Sequence, residues 1–474
     1  MTVRHLVSNC LVDGSGETCR MMSPVDDCVI AKGRFAGGKE ADMVAATADR
    51  AALAMSDLPI AARAAILRDL AARLEAGADA IAAAITMENG CPSDQARALQ
   101  VGSAVGLLRA YADLVDIHSF EETRAGFRGG STTILRHPVG PVLGIVPWNV
   151  PIFLACMKLA PTIAAGCPIV LKPSPESARS MSIFATQLGA LDMPDGAIQS
   201  LIGGADLGRA LVGDARFQKV SFTGSTAAGR QVGAAAAERM ARITLELGGK
   251  SAAILLDDVD LSAVRDQLFL AMLQNNGQVC GAQSRLLIPA TRASEIEDFL
   301  AEMWSALNVG NPREAGTDIG PVVSKAAATR IRDAIAADLS AGGSLLSSPD
   351  YPADGAFVPP SLIRPSSANA DILESELFGP VVTVQRYDSE DDAVRMANAH
   401  RYGLSGSVWS GDTERASRLA RRLKTGTVGI NTKNILDFGS PFGGWRSSGI
   451  GRELGPEGID AYTETTTLLM PSAE

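Results

Sequence analysis

Histidine is scarce in this chain, and cysteine is too sparse and too scattered to build anything. Four histidines, His5, His118, His137 and His400, are spread over 474 residues with none at ligand spacing from another, which argues against a metal centre. Seven cysteines, an odd number with no C-x-x-C pair among them, form neither a disulfide framework nor a zinc site and fit a reducing compartment best. Positive charge is in deficit as well. Lys and Arg number 43 against 53 Asp and Glu, a net charge of −10, so there is no electrostatic footprint for a nucleic acid. No stretch reaches 18 uncharged apolar residues, and the opening "MTVRHLVSNCLVDGSGE" lacks a basic patch followed by an apolar core. The expectation is a soluble, cytoplasmic protein with no membrane partner. Internal repeats and low-complexity tracts are absent too.

What is present is length and periodicity. A chain of 474 residues exceeds the size at which one core stops growing, so two or three domains are expected. Over 41 to 89, Ala, Leu and Ile recur at spacings of three and four, and the spacing predicts two long helices ended by "ENGCP". From 142 onward short apolar runs alternate with helical segments: "VLGIVPW", "FLACMKLAPTIAAG", "PIVLKP", "IQSLIGG", "KVSFTG", "TAAGRQVGAAAAER", "RITLELGG". That alternation predicts an α/β fold with a doubly wound parallel sheet covered on both faces. "SAAILLDD", "AVRDQLFLAMLQ" and "SRLLIPA" begin a second α/β block. "GGSTTILRHPVGP", 129 to 141, and the tail "YTETTTLLM" are β-prone and read as arms that leave the core to pair elsewhere.

Several short stretches carry polar groups where chemistry could use them. "NNGQVCGAQS" sets Cys280 in a run of amides and glycines, although a lone cysteine is most often an inert core thiol. "KVSFTGSTAAGR" ends a strand at Thr223, turns at Gly224 and opens a helix at Ser225, the grammar of an anion cradle. Its G-x-x-x-x-G spacing, Gly224 to Gly229, departs from the dinucleotide fingerprint, so on its own it is equally an ordinary glycine turn. "PWNVP" fixes Asn149 between two prolines, and "TLELGGKS" puts Glu246 at the end of a buried-looking strand, where desolvation would raise its pKa toward general-base values. Either could equally be a cap or a solvated strand end.

Taken together, "GIVPWNVP", "IVLKPSP", "FTGSTAAG", "LELGGKS", "GQVC", "ELFGPV", "SPFGGWRSSGIGRELG" and "AYTE" resemble the successive motifs of the aldehyde dehydrogenase superfamily, in order and over nearly the whole chain. The 34 residues from Glu246 to Cys280 also match the family's separation. The resemblance implies a dinucleotide-binding domain over 1–119 and 139–247, a catalytic domain over 248–463, and a small β oligomerisation arm from 120–138 and 464–474, assembling a homodimer or homotetramer. It implies Cys280 as nucleophile, Glu246 as general base, Asn149 as oxyanion-hole amide, and Lys158 with Glu453 as a proton-passing pair. For the cofactor it implies Lys172 at the adenosine ribose, Gly204 and Ser225 at the pyrophosphate, Glu376 and Phe378 at the nicotinamide ribose, and Ile145, Pro147, Trp148, Ser174, Glu176, Gly224 and Leu247 around them. The implied cofactor is NAD. Many NAD-preferring members carry a glutamate three residues after the lysine, but here that place is Pro175 and the acid follows at Glu176, which leaves NADP open.

The residue types suit the implied reaction, oxidation of an aldehyde to its acid. A free thiol is already a few per cent thiolate near neutrality and needs only a small local shift. Its thiohemiacetal needs preorganised donors, and its thioester needs a base to activate water. The CoA-acylating branch, the alternative, generally lacks the glutamate, so Glu246 argues against it. A cysteine hydrolase would need a histidine partner, of which there is no hint. By resemblance Val150, Phe153, Met157, Val279, Gly281, Leu436 and Phe442 line the aldehyde tunnel; nearly all are apolar, none is cationic, and Lys433 and Arg446 are the nearest basic residues in sequence. Gly281 and Val150 should leave width for a bulky apolar tail, so medium-chain, terpenoid or aromatic aldehydes are the expected substrates.

Overall fold

A computed structural model describes residues 1–471. The runs of branched apolar residues from 142 onward become short strands buried on both faces: Val142–Val146, Ile169–Pro173 and Lys219–Thr223 are buried at every position. With Ile198–Ser200 and Arg242–Glu246 they form the parallel centre of an eight-stranded sheet whose edges, His5–Val7, Cys10–Val12 and Gly449–Ile450, run antiparallel. The chain lays down Val142–Val146, Ile169–Pro173 and Ile198–Ser200 outward in one direction, then returns to place Lys219–Thr223 on the other side of Val142–Val146. The crevice beyond the carboxyl ends of these two neighbours is the topological switch point, where open α/β sheets bind ligands.

A second sheet of seven strands holds Ala252–Leu255 in its interior, with Arg285–Pro289, the central strand, on one side and Ser405–Trp409 on the other. It is parallel except at the edge strand Ser344–Ser347. The two β-prone arms pair with each other: Thr463–Met470 runs antiparallel to Ser131–Pro138, which also pairs Glu121–Ala125. The expected arm over 464–474 extends past the described residues at 472–474. A two-stranded ribbon, Thr18–Met22 with Val29–Arg34, completes the sheets.

The segment 41 to 89 differs from the sequence expectation. It holds three helices, Gly38–Ser56, Ile60–Ala76 and Ala78–Asn89. The periodicity runs through two interruptions that the backbone does not: Pro59 supplies no N–H to continue the first helix and becomes the N-cap of the second, and Gly77 separates the second from the third.

Candidate active site

Cys280 lies in the loop that follows the helix Leu261–Leu273. The chain leaves that helix through three consecutive left-handed residues, Asn275 (φ 53°), Asn276 (φ 59°) and Gly277 (φ 72°), a conformation that Asn and Gly tolerate best. The amides around Cys280 then explain themselves. Asn276 Nδ2 donates to the carbonyls of Gly90 (2.8 Å) and Pro321 (3.0 Å), and Gly320 N donates to its Oδ1 (2.8 Å). Gln278 Nε2 donates to Asn89 O (3.0 Å), while Val323 N donates to Gln278 Oε1 (2.8 Å). Asn89 and Asn275 both donate to the backbone oxygen of Asn149, at 2.9 and 3.0 Å. These buried amides lock the cysteine loop onto the Asn149 loop, and the sequence reading missed them. Their signal was present in "NNGQ", four residues with side-chain amides or left-handed tolerance in a buried turn.

Asn149 is 4% exposed, and one of its two amide hydrogens is given to Gln278 O at 2.9 Å, which leaves the other N–H to point elsewhere. Glu246 ends the strand Arg242–Glu246, in register with Thr223 and Gly449. It is 3% exposed, and neither carboxylate oxygen has a hydrogen-bond partner. Burial pushes its pKa well above the usual carboxylate range, with Glu453 adding to the rise and Lys158 and Arg452 opposing it. Lys158 Nζ sits 2.9 Å from Glu453 Oε1 and also donates to Ser221 Oγ (3.0 Å) and Thr223 Oγ1 (2.8 Å). Ser221 Oγ donates to the same Glu453 oxygen at 2.7 Å. Both bonds go to Glu453 Oε1, whereas Oε2 is buried without a partner, and removing either member of the ion pair would strand a charge.

The thiol corrects the expectation of a small shift. Burial, with the carboxylates of Glu376 and Glu246 adding to it, pushes Cys280 up to about 12. In the resting site it is a thiol.

Three cavities meet here. One, of about 470 Å³, opens at the switch point and is lined by Ile145, Pro147, Trp148, Lys172, Ser174 and Gly204, among others. Burial lowers Lys172 to about 8, with Glu176 opposing the shift, and Ser174 Oγ is buried with no partner. Glu176 does not line this cleft; Pro175 takes its place, and Arg209, which sequence reasoning did not name, joins the wall. The helix Thr226–Glu238 borders the cleft through Ala228 and Val232. Its N-cap is Ser225, whose Oγ accepts from Ala228 N at 3.2 Å. Gly229 is required by close approach, since a Cβ there would stand 2.3 Å from Leu247 Cδ2.

A second cavity, of about 380 Å³, is lined by Gly224, Ser225, Glu246, Leu247, Glu376, Phe378, Asn149 and Cys280. Glu376 accepts from Gly249 N at 3.0 Å, and burial lifts it to about 7. Phe378 holds a left-handed φ of 59° and packs edge-on to Trp148 at 5.6 Å; a bulky side chain in that region stores strain.

The third, of about 290 Å³, takes in all seven expected tunnel residues, Val150, Phe153, Met157, Val279, Gly281, Leu436 and Phe442, together with Asn149 and Cys280. Two expectations about it change. The space left by Gly281 is filled, because Ile435 Cδ1 stands 2.1 Å from where a Cβ would be. Lys433 also lines the tunnel, so the wall is not free of cations; Phe438, 6.2 Å from Phe153, adds a third aromatic ring, whereas Arg446 lies outside and donates to the carbonyls of Asn398 and His400. The loop 431–440 that brings in these residues has no periodicity to announce it.

Among the described residues no group of His, Cys, Asp and Glu could hold a metal ion, and no helix is long and apolar enough to cross a membrane. The model of the "Aldehyde dehydrogenase family" matches residues 11–468. The chain belongs to the aldehyde dehydrogenase family. Within it, this aldehyde dehydrogenase is 41% identical to a geranial dehydrogenase of Castellaniella defragrans over 86% of each chain. It is 37% identical to a 3-succinoylsemialdehyde-pyridine dehydrogenase of a Pseudomonas species over 85% of each. It superposes on a crystal structure of a Mycobacterium tuberculosis aldehyde dehydrogenase complexed with NAD+ with a TM-score of 0.96 and 34% identity, over 100% of this chain and 99% of that one.

Proposed function

We propose that this aldehyde dehydrogenase oxidises apolar or aromatic aldehydes to carboxylic acids with NAD, through a thioester on Cys280 that water resolves. The observation that carries the proposal is that Cys280 and Asn149 form the shared wall of two cavities, the apolar tunnel on one side and the cavity holding Glu246 and Glu376 on the other. Cys280 Sγ bonds to the aldehyde carbon at the end of the tunnel, and its proton passes to a neighbouring base. The second N–H of Asn149 and the Cys280 backbone N–H donate to the oxygen that becomes negative. Glu246, once ionised, takes a proton from the water that attacks the thioester. Its proton then has an outlet through Glu453 and Lys158, already hydrogen-bonded at 2.9 Å.

The cleft fits a dinucleotide: Lys172 and the unpartnered hydroxyl of Ser174 offer donors to a ribose, and Gly204 and Ser225 cap helices whose N-termini suit a pyrophosphate. NAD supplies the hydride acceptor when bound. With Lys172, Ser174 and Arg209 in the wall and no carboxylate among its lining residues, the cleft also has the donors and charge to take NADP. The NAD+ complex of the Mycobacterium tuberculosis relative supports the cofactor, and the geranial dehydrogenase supports an apolar aldehyde. The first sheet makes the cofactor half and the second the catalytic half. The three-stranded arm, with Leu468, Leu469 and Met470 exposed by 43%, 78% and 56%, suits assembly as a homodimer or homotetramer, which light scattering would read. Seven free cysteines suit the cytoplasm.

The test is reduced-cofactor absorbance with NAD and NADP in parallel. Hexanal and benzaldehyde should exceed succinic semialdehyde and betaine aldehyde in kcat/KM, each buried methylene adding up to about 0.8 kcal/mol until the tunnel is full. A tenfold win for either short charged aldehyde would overturn the substrate assignment.

A further inference from the structure

The tunnel at Cys280 changes character along its length. Its inner wall is apolar and sealed: Phe153, Met157 and Phe442 are 5%, 1% and 6% exposed. Among its less buried lining residues polar groups join the apolar ones: Ser103, Gln274 and Lys433 are partly buried and Asn434 is exposed, beside the partly buried Leu99, Ile435, Leu436 and Phe438. Lys433 is held by its backbone, which donates to Gln267 Oε1 at 3.3 Å. Its ammonium takes part in no ion pair or side-chain hydrogen bond among the described residues. Asp437, the acid in the same loop, accepts from Gly439 N through Oδ1 at 2.7 Å and makes no ion pair with Lys433 among the described residues. A hydrated ammonium on this mixed rim costs little, since a lysine keeps its stem on apolar surface and its head in water. It is a poor feature for a quaternary ammonium ligand and a suitable one for an anion.

We propose that Lys433 is a specificity-determining residue that favours aldehydes bearing a carboxylate at the end remote from the aldehyde, across an apolar spacer long enough to reach the tunnel mouth. The inference rests on the reading above, in which Cys280 takes the aldehyde at the inner end. It makes the effect of a carboxylate change sign with length. On a short chain the charge lies among Phe153, Met157 and Phe442, where an unpaired carboxylate is prohibitively costly. On a longer chain it reaches Lys433 and Asn434, and the spacer fills the apolar depth.

The experiment compares kcat/KM for matched pairs, succinic semialdehyde with butanal, adipic semialdehyde with hexanal, and suberic semialdehyde with octanal, in the wild type and in Lys433→Met, Lys433→Arg and Lys433→Glu. Butanal should win the shortest pair. The carboxylate should win the longest by about threefold to tenfold, through KM more than kcat, and the gain should shrink at high salt. Lys433→Met should abolish that gain, Lys433→Arg retain it and Lys433→Glu reverse it. A carboxylate that loses at every length, or a gain that survives Lys433→Met, would overturn the inference while plain aldehydes still turn over. Failure of both series to reduce cofactor would instead overturn the site assignment itself, and this inference with it.

Discussion

Glu246→Gln separates the chemical steps and tests the electrostatics of the site at once. The carboxylate is buried without a hydrogen-bond partner, and burial with Glu453 nearby raises its pKa. Between the unfolded value of about 4.3 and this raised folded value, Glu246 ionises in the unfolded chain but not in the folded one. The folded state therefore binds the extra proton, and native stability falls as pH rises, by about 1.4 kcal/mol per pH unit over that window. Glutamine keeps the shape and cannot ionise. Its own burial cost is the same at every pH, so the informative quantity is a difference: the melting temperature of Glu246→Gln minus that of the wild type should widen as the pH rises above about 5. Stopped-flow absorbance supplies the second readout. A burst of reduced cofactor near one per site should survive, while steady turnover falls by about 10²–10⁴, the usual worth of a general base. An unchanged steady rate, a wild-type rate that depends on added CoA, or a melting difference flat with pH would refute the reasoning.

Cys280→Ala should abolish aldehyde oxidation while cofactor still binds, as followed by quenching of protein fluorescence; turnover within tenfold of wild type would remove Cys280 from the chemistry. Asn149→Ala should lower kcat by about 10²–10³; it also removes the bond from Asn149 Nδ2 to Gln278 O, while Asn89 and Asn275 still grip the backbone oxygen of residue 149, and a loss under threefold would make the amide purely structural. With Cys280 pushed up to about 12, its alkylation by iodoacetamide in the cofactor-free enzyme should climb about tenfold per pH unit through the neutral and mildly alkaline range. A plateau near pH 8 would contradict that.

The strands around the site were legible because parallel strands buried on both faces read as short apolar runs, as "VLGIV" does. Where such runs alternate with helices, their carboxyl ends are where polar residues gather, and Asn149, Glu246 and Ser225 follow those ends. The resemblance added Cys280 and the pair Lys158 and Glu453, which lie 295 residues apart in sequence and could not be joined by spacing. The helix count over 41 to 89 failed because periodicity was followed across Pro59 and Gly77, punctuation that was there to be read. Tunnel width failed for a different reason. What Gly281 leaves open is decided by Ile435, whose approach depends on how an aperiodic loop folds back over the site. Lys433 was flagged by sequence proximity to the tunnel, but only the folded loop puts it in the wall.

The thiol pKa was illegible on the same principle, since the groups that raise it come from separate parts of the chain: Glu246 closes a strand of the first sheet, Glu376 precedes a strand of the second, and burial comes from both. This arrangement has a chemical consequence. Cys280 and Glu246 are each raised by burial, and the Glu246 charge raises the thiol further, so the site resists carrying two negative charges. Once Glu246 has ionised, passing a proton from sulfur to its carboxylate moves one charge without adding another, whereas losing that proton to solvent adds a second charge to the cluster. The first route is therefore the cheaper way to a thiolate, and it leaves Glu246 protonated when the carbon–sulfur bond forms. Before water can be activated, that proton must leave Glu246, and Glu453 with Lys158 is the proposed outlet. The pH profiles of the two half-reactions then belong to the coupled group as a whole rather than to either residue, and a change at Lys158 should move the deacylation profile more than the burst.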